Sequence, residues 1–177
     1  MAIKFRLAKE EDTELVISLQ NQAFFDDYKR FGICPSYDRR YEQMEWIINH
    51  NLSANDDLMN QPGVYGEYRY YDYIIYDDDM PVGNIIIKIR RGNECHISSL
   101  CVITPFRELG IGTMALKFVE ETFHYCDKIT LDTPADKEEN LIFYMKNGFQ
   151  VIGEVKACNV WCTLFEKNIG RSSTKLS

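Results

Sequence analysis

From Tyr70 to Ile103 the chain is written in strand periodicity. The runs "YYDYIIY", "VGNIIIKIR" and "ECHISSLCVI" are rich in β-branched and aromatic residues, and the short stretches "DDDMP" and "RGN" separate them. Runs of that composition joined by Gly- and Asp-bearing turns predict an antiparallel meander of three strands. The rest of the chain has to be fitted around that sheet.

Before the meander, "IKFRLA" (3–8) alternates apolar and polar residues and reads as a strand. Asp12 or Thr13 can cap a helix whose stripe of Leu15, Val16, Leu19 and Ala23 runs through about Phe24. "DDYKRFGICPS" (26–36) reads as a loop, and Ser36 or Asp38 starts a second helix carrying Tyr41, Met44, Ile47 and Ile48. The polar segment 51–63 is a surface connection. After the meander comes a helix over 110–125, with Ile111, Met114, Ala115, Phe118, Val119, Thr122 and Phe123 on one face. "KITLDT" (128–133) is a strand, and Asp136 and Glu139 have capping-box spacing for a helix that Gly148 ends. "FQVIGEV" and "NVWCTLFEK" close the sheet. The order predicts an α/β fold: a single domain with a mixed, largely antiparallel sheet and helices on both faces. The domain is expected over 1–167 with a polar tail over 168–177, and the passage through 95–133 is the one expected parallel, right-handed crossover.

Length and composition agree with that outline. A chain of 177 residues, 45% of them hydrophobic, suits one buried core. The first residues lack the apolar centre of a secretion signal, and no run approaches the roughly 18–20 apolar residues that span a bilayer, so a soluble, cytoplasmic protein is expected. Six cysteines without a CxxC pair or a Cys/His cluster read as reduced thiols, with no metal site. A net charge of −7 and a pI near 5.0 disfavour nucleic acid and anionic membrane as partners and favour a cationic small substrate.

The stretch "VITPFRELGIGTMALKF" (102–118) carries the functional signal. A strand turns on a proline, presents Arg107 and two glycines, and enters an amphipathic helix at once. Such a junction gathers unpaired backbone N–H groups at a helix start, which favour an anion, most obviously a phosphate. It is neither the GxGxxG of a dinucleotide site nor the GxxxxGK[ST] of a nucleoside triphosphate loop.

Arg107-Glu108-Leu109-Gly110-Ile111-Gly112 resembles the [QR]xxGx[GA] acyl-CoA loop of the GNAT superfamily of N-acyltransferases, and "FYMKNGF" (143–149) is similar to that family's second signature. Both occur in the family's order, with the expected helix and strand between them, and the element order matches from residue 3 to about 166. The resemblance implies the GNAT fold, acetyl-CoA as cofactor, and acetyl transfer to a primary amine of a small molecule or peptide by direct attack in a ternary complex. The alternative within the same fold is a noncatalytic acyl-CoA-binding or sensory domain. A homodimer is compatible with either.

The resemblance also assigns residues. N–H groups from about Leu109 to Thr113, through Gly110, Ile111 and Gly112, would meet the CoA diphosphate, with Arg107 adding a charge-assisted contact and with Glu108 as a further cofactor-binding residue of the same loop. The strand 95–103 would diverge from 128–133, so that the pantetheine arm pairs with backbone groups of Leu100, Cys101 and Val102. The family's second motif usually begins with Asn seven residues before its Tyr; here that place holds Lys137, and Asn140 or Lys137 takes the contact. Phe143 and Lys146 are further cofactor candidates.

Tyr144 is the general acid the resemblance implies, and the N–H near Val102 would polarise the thioester carbonyl. His96 stands where similar enzymes place a strand Glu or His that accepts the amine proton, and shares a face with Ser98 if no bulge intervenes; Glu94 is the substitute. Cys101 raises the alternative of a covalent acetyl-cysteine route. Acidic and aromatic residues in 24–32 and 63–73 suit an ammonium group, which makes Asp26, Asp27, Tyr28 and Glu67 the acceptor-binding candidates.

Overall fold

The computed structural model describes residues 1–31, 68–90, 94–157 and 159–170. Glu67, the helix expected from Ser36 or Asp38, and the connection over 51–63 lie outside the described residues. One seven-stranded sheet organises the domain, in the order β1-β2-β3-β4-β5-β7-β6. Its strands are β1 (Ile3–Leu7), β2 (Tyr68–Asp77), β3 (Met80–Arg90), β4 (Glu94–Val102), β5 (Lys128–Pro134), β6 (Gln150–Ala157) and β7 (Val160–Asn168). All neighbours pair antiparallel except β4 and β5, which are parallel and joined by the helical crossover the sequence predicts.

The apolar run of β3 explains why helices lie on both faces. Ile85, Ile86 and Ile87 are all fully buried, which a strand achieves only when both sides of its sheet are covered. Ile86 packs with Ile74, Val16 and Leu19 under helix α1 (Thr13–Phe31). Ile85 and Ile87 join the larger core under helices α2 (Ile111–Thr122) and α3 (Glu138–Lys146). Each such side chain contributes roughly 1.5–3 kcal/mol on burial. In α2 the buried stripe differs from the expected one at two positions: Leu116 is buried, whereas Met114 is exposed.

The start of α1 follows from Asp12. Its carboxylate accepts from the Lys9 N–H at 2.8 Å and from both terminal nitrogens of Arg6, each at 2.8 Å, closing a short 3-10 turn that runs into the helix. The Arg6 bonds hold the Asp12 carboxyl below the usual carboxylate range. The helix continues to Phe31, past the loop expected from residue 26. Basic Lys29 and Arg30 suit its C-terminal end, and partners distant in sequence hold this last segment: Arg30 meets Asp136 at 3.0 Å, and Lys137 meets Asp27 at 2.8 Å. For the same reason Asp136 caps nothing. The N-cap of α3 is Lys137, whose side chain makes no capping bond to the helix, which corrects the expected capping box.

Two irregularities open the sheet. Pairing of β4 with β5 ends at Ile97 and Leu131, although both strands continue. At the same level the β3–β4 register slips, so that Ile87 faces Ile97 while Ile86 faces Ser99, leaving Ser98 as the extra residue of a bulge. The bulge breaks the face expected for His96 and Ser98. His96, Ser99 and Cys101 lie opposite Lys88, Ile86 and Asn84, which alternate on β3, so Ser99 and Cys101 continue the face of His96. At the C-terminus β7 runs to Asn168, and the N–H groups of Ile169 and Gly170 both donate to Asp127 O at 2.9 Å, so residues expected in the tail pack on the domain. Among the described residues, no helix is long and apolar enough to cross a membrane.

Candidate active site

The mouth of α2 is built by backbone conformation. Glu108 (φ 63°) and Gly110 (φ 81°) are both left-handed, a geometry that glycine adopts without cost and that turns the chain sharply into the helix. The first intrahelical bond is Met114 N–H to Gly110 O at 3.0 Å, so the N–H groups of the preceding first turn have no helical carbonyl to meet. A Cβ on Gly110 would find no atom within 4 Å. The helix start therefore faces open space with its positive end.

That space is a cavity of about 550 Å³ where β4 and β5 part. Its walls include Leu100, Cys101 and Val102 from β4, then Arg107, Glu108, Gly110, Ile111, Gly112 and Thr113 from the loop and α2, and Asn140, Phe143 and Tyr144 from α3. Of the residues assigned to the cofactor from the sequence, Leu109 and Lys146 do not line it; Leu109 is half exposed and Lys146 is exposed. Ala23, Phe24, Phe106 and Glu139 line it without having been singled out. Ala23 reads in the sequence only as part of a helix stripe, and Phe24 as the end of that helix and the first aromatic of the segment 24–32.

The edge of β4 offers its backbone to the cavity. Ile103 N–H donates to Val82 O at 2.9 Å, and hydrogen-bonded pairs alternate along an antiparallel ladder. Val102 and Leu100, which face Gly83 and Ile85, therefore turn their N–H and C=O groups away from β3 and toward the side that β5 has left. Arg107 closes the end of this edge: its Nε donates to Val102 O at 3.0 Å and its NH2 group to Ala23 O. The guanidinium thus ties β4 to α1 while keeping its charge at the cavity wall.

Lys137, in the place of the family's usual Asn, also lines the cavity and holds Asp27. Both side chains are about 15% exposed; the carboxylate expected to meet an acceptor is engaged by a lysine of α3. Asp26 lies 3.8 Å from Lys29 on the exposed side of α1, where Tyr28 is exposed too. Asn140 donates from Nδ2 to Thr133 Oγ1 at 2.8 Å, fastening α3 to β5.

The two catalytic candidates reach the parted strands from opposite faces. Tyr144 is buried among Phe143, Phe149 and Phe165. Burial, and secondarily the Asp132 carboxylate, push its phenol well above the ordinary value, so it is protonated at neutral pH. On the other face, His96 Nδ1 lies 2.9 Å from Thr130 Oγ1 and Nε2 lies 3.6 Å from Asp132 Oδ1. Burial lowers its pKa, opposed by Asp132 and assisted by Lys88. The imidazole is then neutral at pH 7 and able to accept a proton. Asp132 is a residue the sequence does not mark, since "KITLDT" reads there only as a strand. Glu94 is exposed at the start of β4. Burial pushes the Cys101 thiol up to about 12, while its Sγ donates to Asn84 Oδ1 at 2.9 Å.

Residues 69–151 match the family model described as an acetyltransferase (GNAT) domain. The fold is similar to that of the PaiA N-acetyltransferase from Thermoplasma acidophilum in complex with coenzyme A, at 19% identity and a TM-score of 0.71 over 95% of this chain and 99% of that one. It is also similar to the ribosomal-protein-S18-alanine N-acetyltransferase from Escherichia coli, at 10% identity, a TM-score of 0.70 and 99% of each chain. A spermidine N-acetyltransferase chimera from Vibrio cholerae and hSSAT matches at 11% identity and a TM-score of 0.70 over 96% of each chain. At these identities the likeness is one of fold.

Proposed function

We propose, from the match of residues 69–151 to the GNAT acetyltransferase domain model and from the shared fold, that the chain is a GNAT acetyltransferase that transfers an acetyl group from acetyl-CoA to a primary amine of a small molecule or peptide, directly within a ternary complex. One observation carries the reading: the helix mouth, the unpaired edge of β4 and the Tyr144 side chain line a single cavity. When bound, acetyl-CoA supplies an acetyl group activated as a thioester, with a diphosphate as its anionic handle.

The residues present fit such a group. Gly110 leaves room for a close approach, and the N–H groups from Leu109 to Thr113, with Arg107 and Glu108 framing the loop, suit a diphosphate. Leu100 and Val102 offer backbone pairing, whereas the Cys101 backbone, expected to join them, pairs with Asn84 of β3; Asn140 and Phe143 wall the arm, and Lys146 stands further out on α3. The Val102 N–H polarises the carbonyl. His96 takes a proton from the amine, directly or through one water. Tyr144 donates its O–H toward the departing sulfur. Because its pKa lies above the roughly 8.5 of an alkyl thiol, it stabilises the developing thiolate by hydrogen bonding more readily than by full transfer. Asp26, Tyr28 and Glu67 are proposed for the acceptor side, with Asp27 reaching an acceptor only by releasing Lys137.

The structural neighbours named above include a ribosomal-protein-S18-alanine N-acetyltransferase and a spermidine N-acetyltransferase chimera, which sets the panel of acceptors to assay. The test is release of CoA thiol from acetyl-CoA with an alanine-initiated peptide, a lysine-containing peptide and spermidine, beside calorimetric binding of CoA. Amine-dependent thiol release that falls by about a hundredfold in Tyr144→Phe, with CoA affinity unchanged, supports the reading. Binding of CoA without turnover of any amine favours the noncatalytic acyl-CoA-binding alternative.

A further inference from the structure

His96 and Asp132 stand on neighbouring strands at the point where those strands separate. The last β4–β5 pair is Ile97 with Leu131; His96 is the residue before it on β4 and Asp132 the residue after it on β5. His96 Nε2 faces Asp132 Oδ1 at 3.6 Å, too long for a direct hydrogen bond, and the side chains are 30% and 39% exposed.

On the ring's other side stands the Thr130 hydroxyl. Nδ1 lies 2.9 Å from Thr130 Oγ1, and the Thr130 hydroxyl donates to Cys95 O at 3.4 Å. In the tautomer with the proton on Nδ1, the Thr130 oxygen accepts it and Nε2 presents a lone pair. A lone pair and a carboxylate oxygen thus face one solvent-accessible gap. Two acceptors disposed in this way match a donor with at least two N–H bonds and a positive charge.

We propose that this gap receives the ammonium group of the acceptor, with one N–H donating to Asp132 Oδ1 and another to His96 Nε2. Asp132 then selects positively charged, unhindered primary amines, and His96 deprotonates them; this rests on the amine-acetyltransferase reading and names its acceptor class. In the step, one N–H bond of R–NH3+ breaks and Nε2–H forms, giving an imidazolium that faces the Asp132 carboxylate. The freed nitrogen lone pair bonds to the thioester carbonyl carbon, the C–S bond breaks with its electron pair on sulfur, and a second N–H proton ends on that sulfur. The imidazolium returns its proton to solvent. Lys88, opposite His96 on β3, disfavours the imidazolium, and Asp132 on β5 offsets it.

The experiment compares wild type with Asp132→Asn in the full chain, with Asp132→Ser as a second variant should the first fail to fold. Steady-state thiol release uses whichever of spermidine, the lysine peptide and the alanine-initiated peptide is turned over. Separately, amine is titrated into the CoA-loaded protein while the His96 ring resonances are followed by NMR, assigned by their loss in His96→Gln. The expected result is a rise of about tenfold or more in KM for the amine with KM for acetyl-CoA unchanged, and a shift of the His96 resonances in wild type that the variant lacks at the same amine concentration. An amine KM within threefold of wild type, a loss confined to kcat, or equal His96 shifts in both proteins overturns the proposal. If wild type releases no thiol with any amine, the acetyltransferase reading fails, and the NMR titration still decides whether the gap holds an ammonium.

Discussion

The ring of Phe143 lies where a side chain at position 112 would begin: a Cβ on Gly112 would stand 2.9 Å from Phe143 Cζ. The second glycine of the loop is therefore a packing residue between α2 and α3, and the ring it admits is part of the cavity wall. Gly112→Ala forces that ring to move, at a cost of about 1–3 kcal/mol, and toward the space proposed for the pantetheine arm. A lower thermal midpoint and weaker CoA binding are expected. Adding Phe143→Leu to Gly112→Ala should recover most of the lost stability. Calorimetric melting with and without CoA reads both effects.

Gly110 answers to a different constraint. Its φ of 81° opens onto empty space, and Asp is among the residues that tolerate the left-handed region best, so Gly110→Asp costs only about 1 kcal/mol of strain. Its carboxylate, however, would stand at the helix mouth against an anionic ligand. CoA affinity should fall by about tenfold or more at low salt, with a milder loss at high salt. Titration calorimetry at two ionic strengths measures it, and unchanged affinity would remove the helix mouth as the diphosphate site.

For His96 the sign of the pH effect follows from its burial, which lowers the pKa below the ordinary 6.5. The proton-accepting form dominates above that lowered value. With imidazole as base, kcat/KM should show an acid limb whose midpoint lies below 6.5, leaving the base fully competent at pH 7. His96→Gln should lower the plateau by about a hundredfold and erase the limb. A pH profile of thiol release in both proteins tests this; a limb that persists in the variant assigns it to another group.

What was legible in the sequence is what short-range chemistry dictates. The meander shows through alternation and its turns, and the helix mouth through Gly110 and the helix that follows. The bulge at Ser98 was not legible, because "HISSLC" has no glycine to mark it and two adjacent serines suit either face. Asp132 carries no signal of its own within the strand "KITLDT", because the separation of β5 from β4 is announced by no local pattern. The continuation of α1 past residue 26 is not legible for a related reason: Asp27 and Arg30 find their partners at Lys137 and Asp136, over 100 residues away, which no local pattern announces. Long-range partners also turned Asp27 from an acceptor candidate into one half of an ion pair.

Cys101 offers the sharpest test of direct transfer against a covalent route. A nucleophilic cysteine needs thiolate, and burial pushes this thiol to about 12. At pH 7 the thiolate fraction is then on the order of one in 10⁵. The geometry agrees, since its Sγ donates to Asn84 Oδ1 rather than facing a base, and Asn84 is fixed in turn by the Asp72 carboxylate at 3.0 Å. His96 shares its face but lies on the far side of the bulge, where its Nε2 faces Asp132 Oδ1 at 3.6 Å. Cys101→Ala should keep turnover within about threefold, with a stability loss of about 1 kcal/mol from the lost hydrogen bond and the small void. Intact-protein mass spectrometry after rapid mixing with acetyl-CoA should find no added acetyl group. An acetylated wild type, together with an inactive Cys101→Ala that binds CoA normally, would establish the covalent route and reassign His96 to activating that thiol.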